Sequence, residues 1–142
     1  MKSLGYINDD GGRKDAGFSG RGGDCVTRSI AIATGIPYKR VRKDLTDLTK
    51  EMTGGLETSA ANGVLAPVYH RYLTDLGWEV VITKGQYLNS DLGESGPVIA
   101  RLPRHMVAIV DGSVRDSWDS RKSRRTKSGF PKLTGYYRKS DD

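Results

Sequence analysis

The run HMVAIVDGSVRDSW, residues 105–118, constrains the fold more than any other stretch. Two β-rich runs flank Asp111-Gly112, and Asp-Gly between such runs is a strong cue for a two-residue turn joining antiparallel strands. A two-residue turn sets the register: Val110 faces Ser113, Val107 faces Asp116, and His105 faces Trp118. Side chains alternate along a strand, so His105, Val107, Asp116 and Trp118 are expected on one face. Asp116 is then the diagonal neighbour of His105, at a Cα separation of roughly 7–8 Å. That is within reach for a carboxylate to orient an imidazole, with Trp118 shielding the pair from water. An unpaired buried carboxylate is costly. Asp116 therefore has a partner on that face, or it lies on an edge strand facing solvent. A bulge or a longer turn would bring Asp119 forward instead.

The rest of the chain divides at Gly77. Before it the apolar spacing is helical. A first helix is expected from Asp24 or Cys25 to Thr34, with Val26, Ile30 and Ala33 on one face and Gly35 as its stop. Pro37 suits the first turn of a second helix, whose stripe is Val41, Leu45, Leu48 and Met52, ended by Gly54-Gly55. A third helix is expected over about 64–76, with Val68, Tyr72 and Leu76 on its stripe. After Gly77 the pattern becomes strand-like: WEVVIT, GPVIARL, the hairpin and GYYRK. Residues 1–23 read as irregular, with Tyr6 and Phe18 as anchors, and 121–131 as a basic loop. Helices first and strands second predict one α+β domain over 1–142, with N-terminal helices packed on a C-terminal antiparallel β-sheet.

Composition removes several classes of function. One cysteine allows neither an internal disulfide nor a cysteine-based zinc site. The stretch NDDGG at 8–12 lacks the spacing and the closing Glu of a calcium loop, and no Gly-Lys-Ser/Thr follows the early glycines. No metal or cofactor is expected. No apolar run is long enough to span a membrane and no apolar signal opens the sequence, so a cytoplasmic protein is the expectation. The net charge of +6 invites a polyanionic partner. Much of the excess lies in YKRVRKD, read as a solvated helix face, and in RKSRRTK. Arg121, Lys122, Arg124 and Arg125 are the candidates for a weak polyanion contact.

Cys25 stands where a glycine-rich loop becomes a helix. A helix N-terminus offers unpaired N–H groups and partial positive charge, which lower a thiol pKa and favour the reactive thiolate. Its own N–H can also face a developing oxyanion, and the glycines at 20, 22 and 23 leave room for a substrate backbone. A lone cysteine can equally be a small buried apolar residue. A cysteine nucleophile needs a base. His70 falls within a helix beside an apolar stripe, whereas His105 opens the hairpin.

Cysteine at the start of the first helix, then histidine opening a strand, then Asp on the next strand, resembles the papain-like cysteine peptidase superfamily. The segments NDDGGR, GDCVTRSIAIATG and HMVAIVDGSVRDSWD are similar to small papain-like proteins of bacteria and their phages, and to bacteriocin-processing peptidase domains. The resemblance implies a papain-like fold and a cysteine hydrolase or acyl transferase acting on a peptide or isopeptide bond through a thioester. It makes Cys25 the nucleophile, His105 the general base and then acid, and Asp116 the residue that orients His105. It also implies a protein or peptide substrate. Papain-like enzymes place a Gln before the cysteine as oxyanion donor, and GFSGRGG offers only Ser19. Asn8, farther back, is the other donor candidate, and Asp24, Trp118 and Asp119 are the supporting candidates. Two rival classes remain open: a catalytically silent papain-like module of a phage or mobile element that blocks a host factor, and a basic nucleic-acid-binding domain.

Overall fold

Asp111 and Gly112 both adopt left-handed backbone, with φ of 52° and 76°, the pair of positive angles that a two-residue hairpin turn requires. The expected register follows: Val110 pairs with Ser113, Ile109 with Val114 and Ala108 with Arg115. In the computed structural model, which describes residues 3–18, 23–54 and 63–140, this hairpin joins β4 (His105–Val110) to β5 (Ser113–Asp116). A second tight turn, Pro103-Arg104, joins β4 to β3 (Val98–Leu102), with Leu102 opposite His105. Beyond β3 lie β6 (Lys132–Lys139) and β2 (Trp78–Tyr87), which extend the GYYRK and WEVVIT runs.

The sheet has six strands, because residues 5–8 form β1 (Gly5–Asn8), which pairs parallel with β5. Two expectations are corrected here. Residues 1–23 are not wholly irregular, and the sheet is mixed rather than antiparallel. The reason is edge pairing: β5 would otherwise expose a row of unpaired backbone groups. β1 covers that row, with Gly5 N–H donating to Gly112 O at 2.9 Å and Asp9 N–H donating to Asp116 O at 2.9 Å. Tyr6 and Phe18 act as anchors, the first packed under the sheet and the second against Tyr38 with ring centroids 5.6 Å apart.

The helices are α1 (Cys25–Thr34), α2 (Tyr38–Thr53) and α3 (Ala66–Asp75). They cover one face of the sheet. Their core joins Ile30, Val41, Leu45 and Leu73 to Ile99, Met106, Ala108 and Tyr137. The other face packs Leu4, Leu88, Val107, Ile109, Val114 and Leu133. Val107 therefore belongs to the layer away from the helices, together with Leu102, the residue paired with His105. Trp118 lies past the end of β5.

Helix α1 is buried on almost every side, from Val26 to Ala31 and again at Ala33, with the polar Thr27, Arg28 and Ser29 buried among its apolar residues. Gly35 stops it in left-handed backbone, φ 77°, and returns its N–H to Ala31 O at 3.0 Å. Pro37 is the N-cap of α2 rather than a residue of its first turn. The α2 stripe ends at buried Thr49, whose hydroxyl donates to Leu45 O at 2.7 Å, and Met52 is exposed. In α3 the third buried position is Leu73, while Leu76 caps the helix in the open. Among the described residues no helix is long and apolar enough to cross a membrane.

Ile30 sits at the centre of α1 with 0% of its surface exposed. Ile30→Ala is expected to cost about 2–5 kcal/mol, read as a lower urea midpoint with an unchanged denaturant slope.

Candidate active site

Cys25, the first residue of α1, is half-buried. The residue before it, Asp24, is the N-cap but makes no side-chain capping bond. Its carboxylate turns inward instead. Oδ1 accepts from Arg28 Nε at 3.0 Å, and Oδ2 accepts from the Tyr38 hydroxyl at 2.6 Å and pairs with Arg13 Nε at 3.0 Å. Asp24 thus leaves the first N–H groups of α1 for whatever enters beside the thiol.

His105 opens β4 directly after the Pro103-Arg104 turn. Its Nε2 meets Asp116 Oδ2 at 2.6 Å, and its ring also hydrogen-bonds the Cys25 thiol. With Nε2 taken by the carboxylate, Nδ1 is the nitrogen left for sulfur. The Met106 N–H points at the same sulfur. The diagonal contact between His105 and Asp116 is made as the register requires, so Asp116 is one of the partners the imidazole needs.

The second Asp116 oxygen, Oδ1, accepts from Arg28 Nη1 at 2.9 Å and from Ser117 N–H at 2.7 Å. Arg28 is 8% exposed and lies one helical turn after Asp24, so a single guanidinium joins two carboxylates that are 2% and 3% exposed. Its Nη1 also donates to Ser117 Oγ at 2.7 Å. Burial of these charges is tolerable because each has partners. The result is one continuous polar chain: Asp24, Arg28, Asp116, His105, Cys25.

The electrostatics follow from this chain. Burial pushes the Cys25 thiol up, but the hydrogen bond and charge of His105, the Met106 N–H and the nearby Arg28 together hold it below its ordinary value. Burial pushes His105 down, but its bonds to Asp116 and Cys25 and the attraction of both raise it to about 9. Burial pushes Asp116 up, and His105, Ser120 and the Ser117 N–H bring it below the usual carboxylate range. The two shifts act in the same direction, toward a thiolate facing an imidazolium.

The other expected residues fall in different places. Trp118 covers His105, ring centroids 5.0 Å apart and tilted by 35°, but is itself 52% exposed, so it shields only one side of the ring. Asp119 pairs with Arg121 at 2.8 Å, because no bulge displaces Asp116. Asn8 donates to the Tyr6 hydroxyl at 3.2 Å and to Ser117 O at 3.3 Å, which fastens β1 to β5 and does not line the cleft at Cys25. Ser19, with Gly20 and Gly22, lies outside the described residues. His70 is engaged with the Tyr137 hydroxyl at 2.8 Å. In NDDGG, Asp9 and Asp10 accept from the backbone N–H groups of Gly11 and Gly12, and no metal-binding cluster occurs among the described residues. Arg121 is also held by Leu4 O at 2.8 Å, so it differs from its more exposed neighbours Lys122, Arg124 and Arg125.

Cys25 opens on a cleft of about 620 Å³ walled by Gly23, Val64, Tyr69, Arg101 and Met106. Arg28 is the site residue that sequence reasoning missed. Its signal was the spacing Asp24-x-x-x-Arg28, which suits an ion pair within a helix, set in a helix whose other residues carry no charge, where a buried charge must be paired. A comparison with protein-family models, with curated proteins and with solved structures finds no match.

Arg28→Met removes a cation shared by Asp24 and Asp116 and is expected to cost about 3–5 kcal/mol in urea denaturation. Arg28→Lys is expected to restore only part of this, because an ammonium lacks the planar fork that reaches both carboxylates.

Proposed function

We propose that the protein is a cysteine hydrolase or acyl transferase acting on an amide bond, with a peptide or protein as substrate. The observation that carries this reading is the unbroken contact from Asp116 through His105 to a thiol at an uncapped helix N-terminus. A papain-like relationship, resembled in the order of the three residues, fits the same arrangement.

In this reading His105 takes the Cys25 proton. The thiolate adds to the carbonyl carbon, and the carbonyl electron pair moves to oxygen, toward the Cys25 N–H. Collapse re-forms the carbonyl and breaks the carbon–nitrogen bond. The imidazolium gives its proton to the departing amine, leaving a thioester on Cys25. A water molecule, or an acceptor amine, loses a proton to His105 and attacks the thioester. The thiolate leaves and regains its proton. Asp116 keeps the ring aimed throughout, and Arg28 keeps Asp116 in place. A free reactive thiol suits a reducing compartment such as the cytoplasm.

The test is the pH dependence of Cys25 alkylation by iodoacetamide. The wild-type midpoint is expected well below the free-cysteine value of about 8.5, and His105→Ala is expected to move it up toward that value. An ordinary midpoint, unchanged by His105→Ala, would overturn the reading. Turnover of an amide substrate is expected to follow a bell. Its acid limb is formation of the thiolate–imidazolium pair. Its alkaline limb, near 9, is loss of the His105 proton that the leaving amine needs. His105→Ala is expected to lower turnover by about 10²–10⁴-fold.

A further inference from the structure

On the far side of His105 from the thiol cleft lies a second cavity of about 1000 Å³, with Trp118, Pro103 and Pro131 in its walls. Leu102, Arg104 and His105 line both spaces, so the two form one groove that crosses the site. Its charged lining is Arg101, Arg104, Lys122, Arg124, Arg125 and Lys132, and no Asp or Glu lines either half among the described residues. Elsewhere the arginines are spent on carboxylates: Arg40, Arg71, Arg115, Arg121 and Arg138 each form an ion pair. The arginines left without an ion pair among the described residues gather largely at this groove.

Arg104 adds an independent observation. It sits at the second central position of the β3–β4 turn with φ 57°. After Pro103 this is the position where a turn of this kind favours glycine. A long cationic side chain is kept there at the cost of backbone strain, and such outliers cluster at functional sites. Arg104 is also the cation common to both halves of the groove.

We infer that the groove is built for an acidic peptide, whose Asp and Glu residues follow the scissile bond on its amine side and meet Arg104, Lys122, Arg124, Arg125 and Lys132. This rests on the cysteine-nucleophile reading and specifies its substrate class. The direction comes from the proton: His105 delivers it to the departing amine, so the amine-bearing part of the substrate lies on the His105 side, where the cations are. A peptide fits better than a nucleic acid because these cations line a concave space that shares its wall with His105, not a convex stripe.

The full chain is titrated with a fluorescein-labelled Gly-Glu-Glu-Glu peptide and with its Gly-Gln-Gln-Gln counterpart, in parallel with iodoacetamide alkylation of Cys25. The acidic peptide is expected to bind about tenfold more tightly at low salt, as two or three ion pairs of modest strength allow, and the difference is expected to shrink as salt rises. The preference is expected to vanish in Arg124→Gln/Arg125→Gln and to fall in Arg104→Gly without a lower melting temperature. It should persist in the charge-matched control Lys39→Gln/Lys50→Gln on α2. Equal binding of the two peptides, a control that loses the preference as fully, or a single-stranded oligothymidylate that binds more tightly than the acidic peptide would overturn the inference. Equal binding beside a fast, acid-shifted thiol removes the substrate class alone, and an ordinary thiol removes both readings.

Discussion

Asp116 is buried in this sheet with Arg28 beside it, one carboxylate oxygen on the guanidinium at 2.9 Å and the other on His105 at 2.6 Å. An isolated carboxylate in that position would be driven to its neutral form and could not hold an imidazolium. Arg28 supplies a permanent positive charge, and Asp24 balances it from the other side. The pairing also fixes geometry. It ties the first turn of α1, which carries the thiol, to the end of β5, which carries the carboxylate. β4 lies next to β5 and brings the histidine between them. Three residues far apart in the chain thus share one electrostatic frame.

The frame makes use of what each element leaves unsatisfied. Asp24 occupies the N-cap yet spends its carboxylate on Arg28, Tyr38 and Arg13, so the helix end keeps its N–H groups and partial charge for the site. β1 covers the edge of β5 and adds the Tyr6 hydroxyl to the Asp116 carbonyl at 3.1 Å, which limits movement of the carboxylate strand. The strained Arg104 turn delivers His105 at the start of β4 and places a cation beside it. Stability and site geometry therefore rest on the same few residues, and most of them are polar.

The hairpin was legible because Asp-Gly sets turn type and register together, and register carries His105 and Asp116 into contact. The three helices were legible from apolar period and glycine stops, with errors at their ends: Pro37 caps α2 instead of opening it, α3 starts at Ala66, and Met52 and Leu76 are exposed. β1 was not, because four residues are too few to show alternation and their strand state depends on a partner more than a hundred positions away. Arg28 was passed over for a related reason: spacing offers Asp24 as a partner, but the second partner, Asp116, exists only once the sheet has formed. The cationic groove is likewise a tertiary fact, since Arg101 and Arg104 join the basic loop across the hairpins.

The account stands on the protonation state of one ring, and ¹⁵N NMR of His105 reads it directly. With two histidines in the chain, His70→Gln assigns the signal. Both ring nitrogens of His105 should remain protonated through neutral pH and lose the proton near 9, and Cys25→Ala should lower that midpoint by removing the thiolate. A ring that titrates near the unperturbed value of about 6.5, with or without the sulfur, would mean that no thiolate–imidazolium pair exists and would contradict the account.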